Sequence, residues 1–229
     1  MLNLAFCIYT MKKPLFIVLL FIHIDLLAQQ KFYLDKGFSE STRFYNQGRE
    51  LLVNRSNLQG AVHYFNKAIQ LNDKDGDFFF GKSQALDLLA QYDSALFAVE
   101  KAISLNPKST SYLEHSGNLL YKMKKYEKAI SNYTLAIKYN EFDESYMTVL
   151  YFNLGNSYLS TSRYSKAIEN FSKSIQFDSN FTGAYHNRGV AKSRLERQYL
   201  KSEICSDFQR ALELGSKKSK RYISKYCKD

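Results

Sequence analysis

Tryptophan is absent from the 229 residues, and proline occurs only twice, at Pro14 and Pro107. Glycine occurs ten times. Proline and glycine interrupt helical runs, so their scarcity over this length favours helices. Tyrosine (18) and phenylalanine (17) supply all the aromatic bulk. Hydrophobic residues at 45% and charged residues at 24% are ordinary for a chain that folds. Motifs of chemistry are missing as well. His63, His115 and His186 form no H-E-x-x-H or other close metal spacing, and G-x-S-x-G, P-loop and Gly-rich dinucleotide turns are absent. Accordingly no catalytic residue, metal or cofactor is expected, and the chain does not read as an enzyme. Asp73-Lys74-Asp75-Gly76-Asp77 spaces acids like a calcium loop, which needs glycine at its sixth place and glutamate at its twelfth. Phe78 and Gln84 stand there, so a helix-capping turn is expected instead.

The first thirty residues form a class of their own. Met11-Lys12-Lys13 precedes an apolar run from Pro14 to Leu27, followed by Ala28-Gln29-Gln30. A positive start, a short apolar core and a small residue at the exit describe a secretory signal peptide. The run is short for a bilayer span, which needs about 20 residues. Residues 1–28 therefore read as a signal, with the true start at Met11 and cleavage after Ala28; an uncleaved anchor is the alternative. Export to the periplasm or medium follows. Cys7 lies before the apolar run, so no lipid anchor is expected.

Loss of Lys12, Lys13 and Asp25 takes the net charge from +10 to +9. Much of this excess is local, because Lys217 to Asp229 carries a net of +5. Elsewhere both signs are interspersed, which describes a solvated surface and not a nucleic-acid face.

Self-similarity is the informative signal. Gly60–Ile69, Ser94–Ile103, Lys128–Ile137 and Lys166–Ile175 resemble one another, with anchor alanines Ala61, Ala95, Ala129 and Ala167 spaced by 34, 34 and 38. Upstream, Gly48, Ser83, Gly117, Gly155 and Gly189 place a small residue in a first helix. Tyr92, Tyr126 and Tyr164 each precede the anchor alanine by three. The best unit runs Tyr151, Leu154, Gly155, Tyr158, Tyr164, Ala167, Phe171 and Ser174.

This pattern and period resemble the tetratricopeptide repeat, with Tyr151 in place of the usual tryptophan. The resemblance implies an all-α, right-handed superhelical solenoid of about five helix-turn-helix repeats with a C-terminal capping helix. After a short lead over 29–39, the array covers 40–214, in units of about 40–73, 76–107, 110–141, 145–179 and 181–214. The fifth unit is degenerate, its second half shifted by about three residues. Residues 215–229 form the basic cap, with Tyr222, Ile223 and Tyr226 on one face.

The family's register implies that first helices line a concave groove. Tyr45, Arg49, Phe80, Gln84 and Glu114 fall at groove-facing positions. So do Asn118, Tyr121, Phe152, Asn156 and His186. Asparagine can bond a peptide backbone and aromatics can anchor a partner. Some relatives clamp a C-terminal carboxylate; Asn118 and Asn156 match in type, but the clamp's lysines and arginine are missing, so no clamp is expected. Cys205 and Cys227 are an even pair for an exported chain. Two readings stand open, a disulfide or two separately buried thiols; a likeness to exported bacterial repeat proteins with similar endings brings the first level with the second. Asn54, Asn132, Asn170 and Asn180 head N-x-Ser/Thr triplets, a number chance supplies; Asn132 and Asn170 fall inside expected helices. The implied function is a protein-interaction scaffold outside the cytoplasm that binds a protein or peptide and no nucleic acid. The alternative is an envelope-structural or enzyme-accessory role, attached to a membrane or cell-wall surface through the basic end.

Overall fold

The computed structural model describes residues 36, 39–140, 144–195 and 197–227. The expected signal segment, residues 1–28, lies outside them. All regular structure among the described residues is helical. The chain divides into an N-terminal unit ending at Lys74 and a C-terminal unit beginning at Asp75.

In the N-terminal unit, α1 (39–53) and α2 (Leu58–Leu71) form one hairpin. The Asn57 side chain caps α2 by accepting from the Gly60 N–H at 2.8 Å. Ala61, Phe65 and Ala68 are fully buried along one face of α2.

The C-terminal unit contains four hairpins and a final short helix. The pairs are α3 (Gly76–Leu88) with α4 (Tyr92–Leu105), α5 (Thr110–Lys122) with α6 (Tyr126–Tyr139), α7 (Glu144–Ser160) with α8 (Tyr164–Phe177), and α9 (Thr182–Ser193) with α10 (Lys201–Glu213). The cap is α11 (Ser219–Tyr226). Each helix packs on its successor, as a stack of hairpins requires. The acidic run behaves as a turn: Asp75 caps α3 by accepting from the Asp77 N–H at 2.9 Å.

One lock recurs inside the hairpins. A Cβ added at Gly117 would lie 2.6 Å from the Tyr133 ring, at Gly155 2.7 Å from Phe171, at Gly189 2.9 Å from Phe208, and at Gly48 2.9 Å from Phe65. The glycine of the first helix thus receives the ring of the second, and only a residue without a side chain allows that approach. Ser83 replaces glycine in the α3–α4 hairpin; there its hydroxyl donates to the Ala95 carbonyl at 2.7 Å.

The four tight turns share a second feature. Arg55, Ala90, Lys124 and Ser162 take left-handed backbone at φ 50–59°. The last hairpin departs from this plan, since its first helix ends at Ser193 and its second begins only at Lys201. Gly189 consequently meets Phe208 nineteen positions on, against sixteen from Gly155 to Phe171. This insertion is the physical source of the three-residue shift in the fifth repeat.

Candidate functional site

Within the C-terminal unit the first helices touch one another directly, α5 against α7 and α7 against α9. The side of these helices that carries Asn118, Asn153 and Asn156 is the first-helix face. Asn118 and Asn156 each stand on it immediately after the glycine of their lock. Around them lies a cavity of about 200 Å³ lined by Asp87, Asn118, Tyr121, Lys122, Tyr133, Asn153 and Asn156.

Asn118 is the hub of its hydrogen bonding. Its Oδ1 accepts from the Tyr133 hydroxyl at 2.7 Å and from Asn153 Nδ2 at 3.2 Å, while its Nδ2 donates to Glu114 Oε1 at 2.7 Å. The Tyr146 hydroxyl donates to the other Glu114 oxygen at 2.6 Å. Burial, aided by Glu114 and Tyr121, pushes the Tyr133 hydroxyl well above the usual tyrosine range. It stays a neutral donor and fixes the Asn118 amide. On the next rung Asn187 Nδ2 donates to Asn156 Oδ1 at 2.6 Å. The rim carries one ion pair, Lys122 Nζ donating to both Asp87 oxygens at 2.7 Å. Tyr121 lies beside it, its hydroxyl 3.1 Å from Ser160 Oγ. The arrangement is a row of amides and hydroxyls with an aromatic edge. It can exchange hydrogen bonds with peptide groups, and it holds no aligned nucleophile and base.

The ten positions expected to face a groove divide into two sets. Those three residues before the small residue point into seams. Phe80 packs on Tyr112 (centroids 4.8 Å apart) and edge-on to His115 (5.5 Å). Glu114 bonds Tyr146, Phe152 packs between Phe171 (5.9 Å) and Phe181 (5.0 Å), and His186 meets Tyr222 at 5.2 Å. Apart from Phe171, on α8 of the same hairpin, the partners sit on, or at the start of, the following first helix or, for His186, on the cap α11. Phe80, Glu114, Phe152 and His186 thus make inter-repeat contacts while each stays half-buried. Asn118, Tyr121 and Asn156 gather at the cavity, and Gln84 is half-buried on α3. Tyr45 and Arg49 belong to the N-terminal unit, where Tyr45 packs on Phe65 and the exposed Arg49 guanidinium lies 5.7 Å from the Tyr45 ring. Sequence reasoning missed Asp87, Lys122, Tyr133, Asn153 and Asn187. The period itself could have found Asn153 and Asn187, which lie 34 apart, each two residues before the small residue of its helix.

One serine–histidine pair joins adjacent hairpins, Ser83 Oγ lying 3.0 Å from His115 Nε2. Ser83 is fully buried and its proton goes to the Ala95 carbonyl, so the pair is a strut and not a nucleophile. Burial is the main cause holding the His115 imidazole below its ordinary value of 6.5; Lys122 acts in the same direction, against Asp87 and Glu114. The unfolded chain therefore takes up a proton on acidification before the folded one does. The stability that His115 contributes is full above about 6.5 and falls as the pH drops below it. Melting curves between pH 7.5 and 5 should show a shallower acid loss for His115→Gln than for the unaltered protein. Equal slopes would mean that this strut does not couple to protons.

Models of the tetratricopeptide repeat match residues 77–109, 110–143 and 149–181. The uncharacterized protein MJ0572 of Methanocaldococcus jannaschii is 36% identical over 62 residues, which is 27% of this chain and 71% of that protein. Among solved structures, MamA is similar at a TM-score of 0.68 with 23% identity, over 79% of this chain and 94% of its own. YrrB, described as a tetratricopeptide protein with an unusual peptide-binding site, is similar at 0.68 with 18% identity, over 80% and 90%. PilF of Pseudomonas aeruginosa is similar at 0.66 with 19% identity, over 80% and 79%. At these identities the likeness of the structures is one of fold.

Proposed function

Because this chain belongs to the tetratricopeptide-repeat family, we propose that it is a scaffold that seats a protein or peptide on the first-helix face of α5, α7 and α9, outside the cytoplasm. One observation carries the reading: the cavity lined by Asn118, Asn153 and Asn156 with Tyr121 at its edge. Such a surface offers donors and acceptors to an extended backbone and one large ring as anchor area. YrrB, with its unusual peptide-binding site, supplies a precedent for peptide binding in this fold. Catalysis has no part in this reading. The Met11–Ala28 pattern and the Cys205–Cys227 bond support export, since disulfides persist in oxidising compartments. A second contact is supported by the exposed cations Lys218, Lys220, Arg221 and Lys225 on and beside α11, which suit an acidic membrane or cell-wall surface.

The test separates binding from folding. Tyr121→Ala combined with Asn156→Ala removes groups from the open face and leaves the glycine–ring locks intact. Against the partner captured from the native envelope, the expected loss is about 2 kcal/mol, or roughly thirtyfold in affinity. The melting temperature should stay close to that of the unaltered protein. A double variant that folds and binds with full affinity would move the partner off this face.

A further inference from the structure

The last helix, α11, is eight residues long. Isolated helices of fewer than about 12 residues do not persist in water, so α11 depends on what it packs against. It lies on α10. Tyr222 stacks on Phe208 with ring centroids 4.8 Å apart, and Tyr226 meets the same ring at 6.4 Å. Ser219 is fully buried, and its Oγ lies 2.8 Å from His186 Nδ1. His186 precedes the small residue of its helix by three. Phe80, Glu114 and Phe152 hold that same place, and each meets an aromatic residue on, or at the start of, the following first helix. By this register α11 occupies the seat that a further first helix would take. It differs in how it is held. The locks that join α5 to α6, α7 to α8 and α9 to α10 are glycine–ring contacts, whereas α11 carries a covalent tie, Cys205 to Cys227.

We propose that the Cys205–Cys227 disulfide is a redox latch: closed, it holds α11 over the Phe208–His186 end of the fifth repeat, and opened, it releases α11 and uncovers that aromatic end face. The latch is separable from the hairpin beneath it. The α9–α10 pair keeps its own Gly189–Phe208 lock. It also keeps a buried ion cluster, in which Arg188 donates to Asp207 at 2.6 Å and Lys192 lies 2.9 Å from the other Asp207 oxygen. Cys205 is buried in α10 while Cys227, at the end of α11, is partly open, so attack falls on the Cys227 side. The agent is a dithiol. One thiolate bonds Cys227 Sγ as the Cys205–Cys227 bond breaks and Cys205 leaves as a thiolate that takes up a proton. The second thiol then displaces Cys227 as a thiol and closes the reductant's own disulfide. Two electrons and two protons pass to the protein. The face so exposed fits what α11 now presents to it, an amphipathic helix bearing tyrosines.

Hydrogen exchange on the full chain, with and without dithiothreitol, tests the latch. The tie spans 22 positions, and opening a loop of that length should raise exchange in α11 about a hundredfold. Amides of α5 to α8 should change by less than about threefold. The Cys205→Ser, Cys227→Ser double variant should show the same pattern without reductant. Unchanged protection of α11, in the reduced protein or in the variant, would overturn the proposal. So would loss of protection through α5 to α8, because the bond would then be a staple of the whole unit.

Discussion

Gly155→Leu is expected to lower the melting temperature by roughly 10 °C and cost about 3 kcal/mol or more, the upper end of what overpacking does. The reason is local and measurable. Even the first carbon of a new side chain would stand 2.7 Å from Phe171 Cε1, and Phe171 is itself fully buried. Neither side can give way: the ring is wedged against Phe152, and Gly155 sits in the middle of α7. Since stacked repeats share their stability with neighbours, the damage should reach α5–α6 and α9–α10. Leucine at Ser131, exposed on α6, is the control and should move the melt within about 0.5 kcal/mol. A melt unaffected by Gly155→Leu would show that the glycine–ring lock does not hold the hairpins.

Asp207→Ala should be comparably severe, for an electrostatic reason. Asp207 is buried on α10 and receives Arg188 through Nε and NH2, with Lys192 Nζ at 2.9 Å. Arg188 also reaches back to Ser172 Oγ at 3.0 Å, tying α8 to α9. Removing the carboxylate strands two largely buried cations together, a change that costs about 3–5 kcal/mol where a buried pair loses one member. Asp207→Asn keeps an acceptor for Arg188 and should fall between the two. Urea unfolding of the three proteins measures the order; an alanine variant as stable as the aspartate would mean that water already screens the cluster.

The fold was largely legible because its determinants recur. Anchor alanines spaced by 34, 34 and 38 residues and a small residue in each first helix mark both members of the first four hairpins, and Ala95, Ala129 and Ala167 have zero exposure. The site was legible only in part. Register assigns a helix position and cannot say whether a side chain there meets solvent or the next repeat. Phe152 and Asn156 share α7, four residues apart, yet Phe152 closes on Phe181 while Asn156 lines the cavity. The difference depends on what the following hairpin brings up against them, a contact between residues about 30 apart. Asp87 and Lys122 escaped notice for the same reason, since their pairing crosses from α3 to α5.

Site-specific photocrosslinking tests the central claim most directly. A photoreactive side chain would replace Asn156 on the first-helix face or Glu169, exposed on α8. The account predicts a covalent adduct with the bound partner from position 156 and none from position 169. An adduct from position 169 alone would place the partner on the second helices and contradict it.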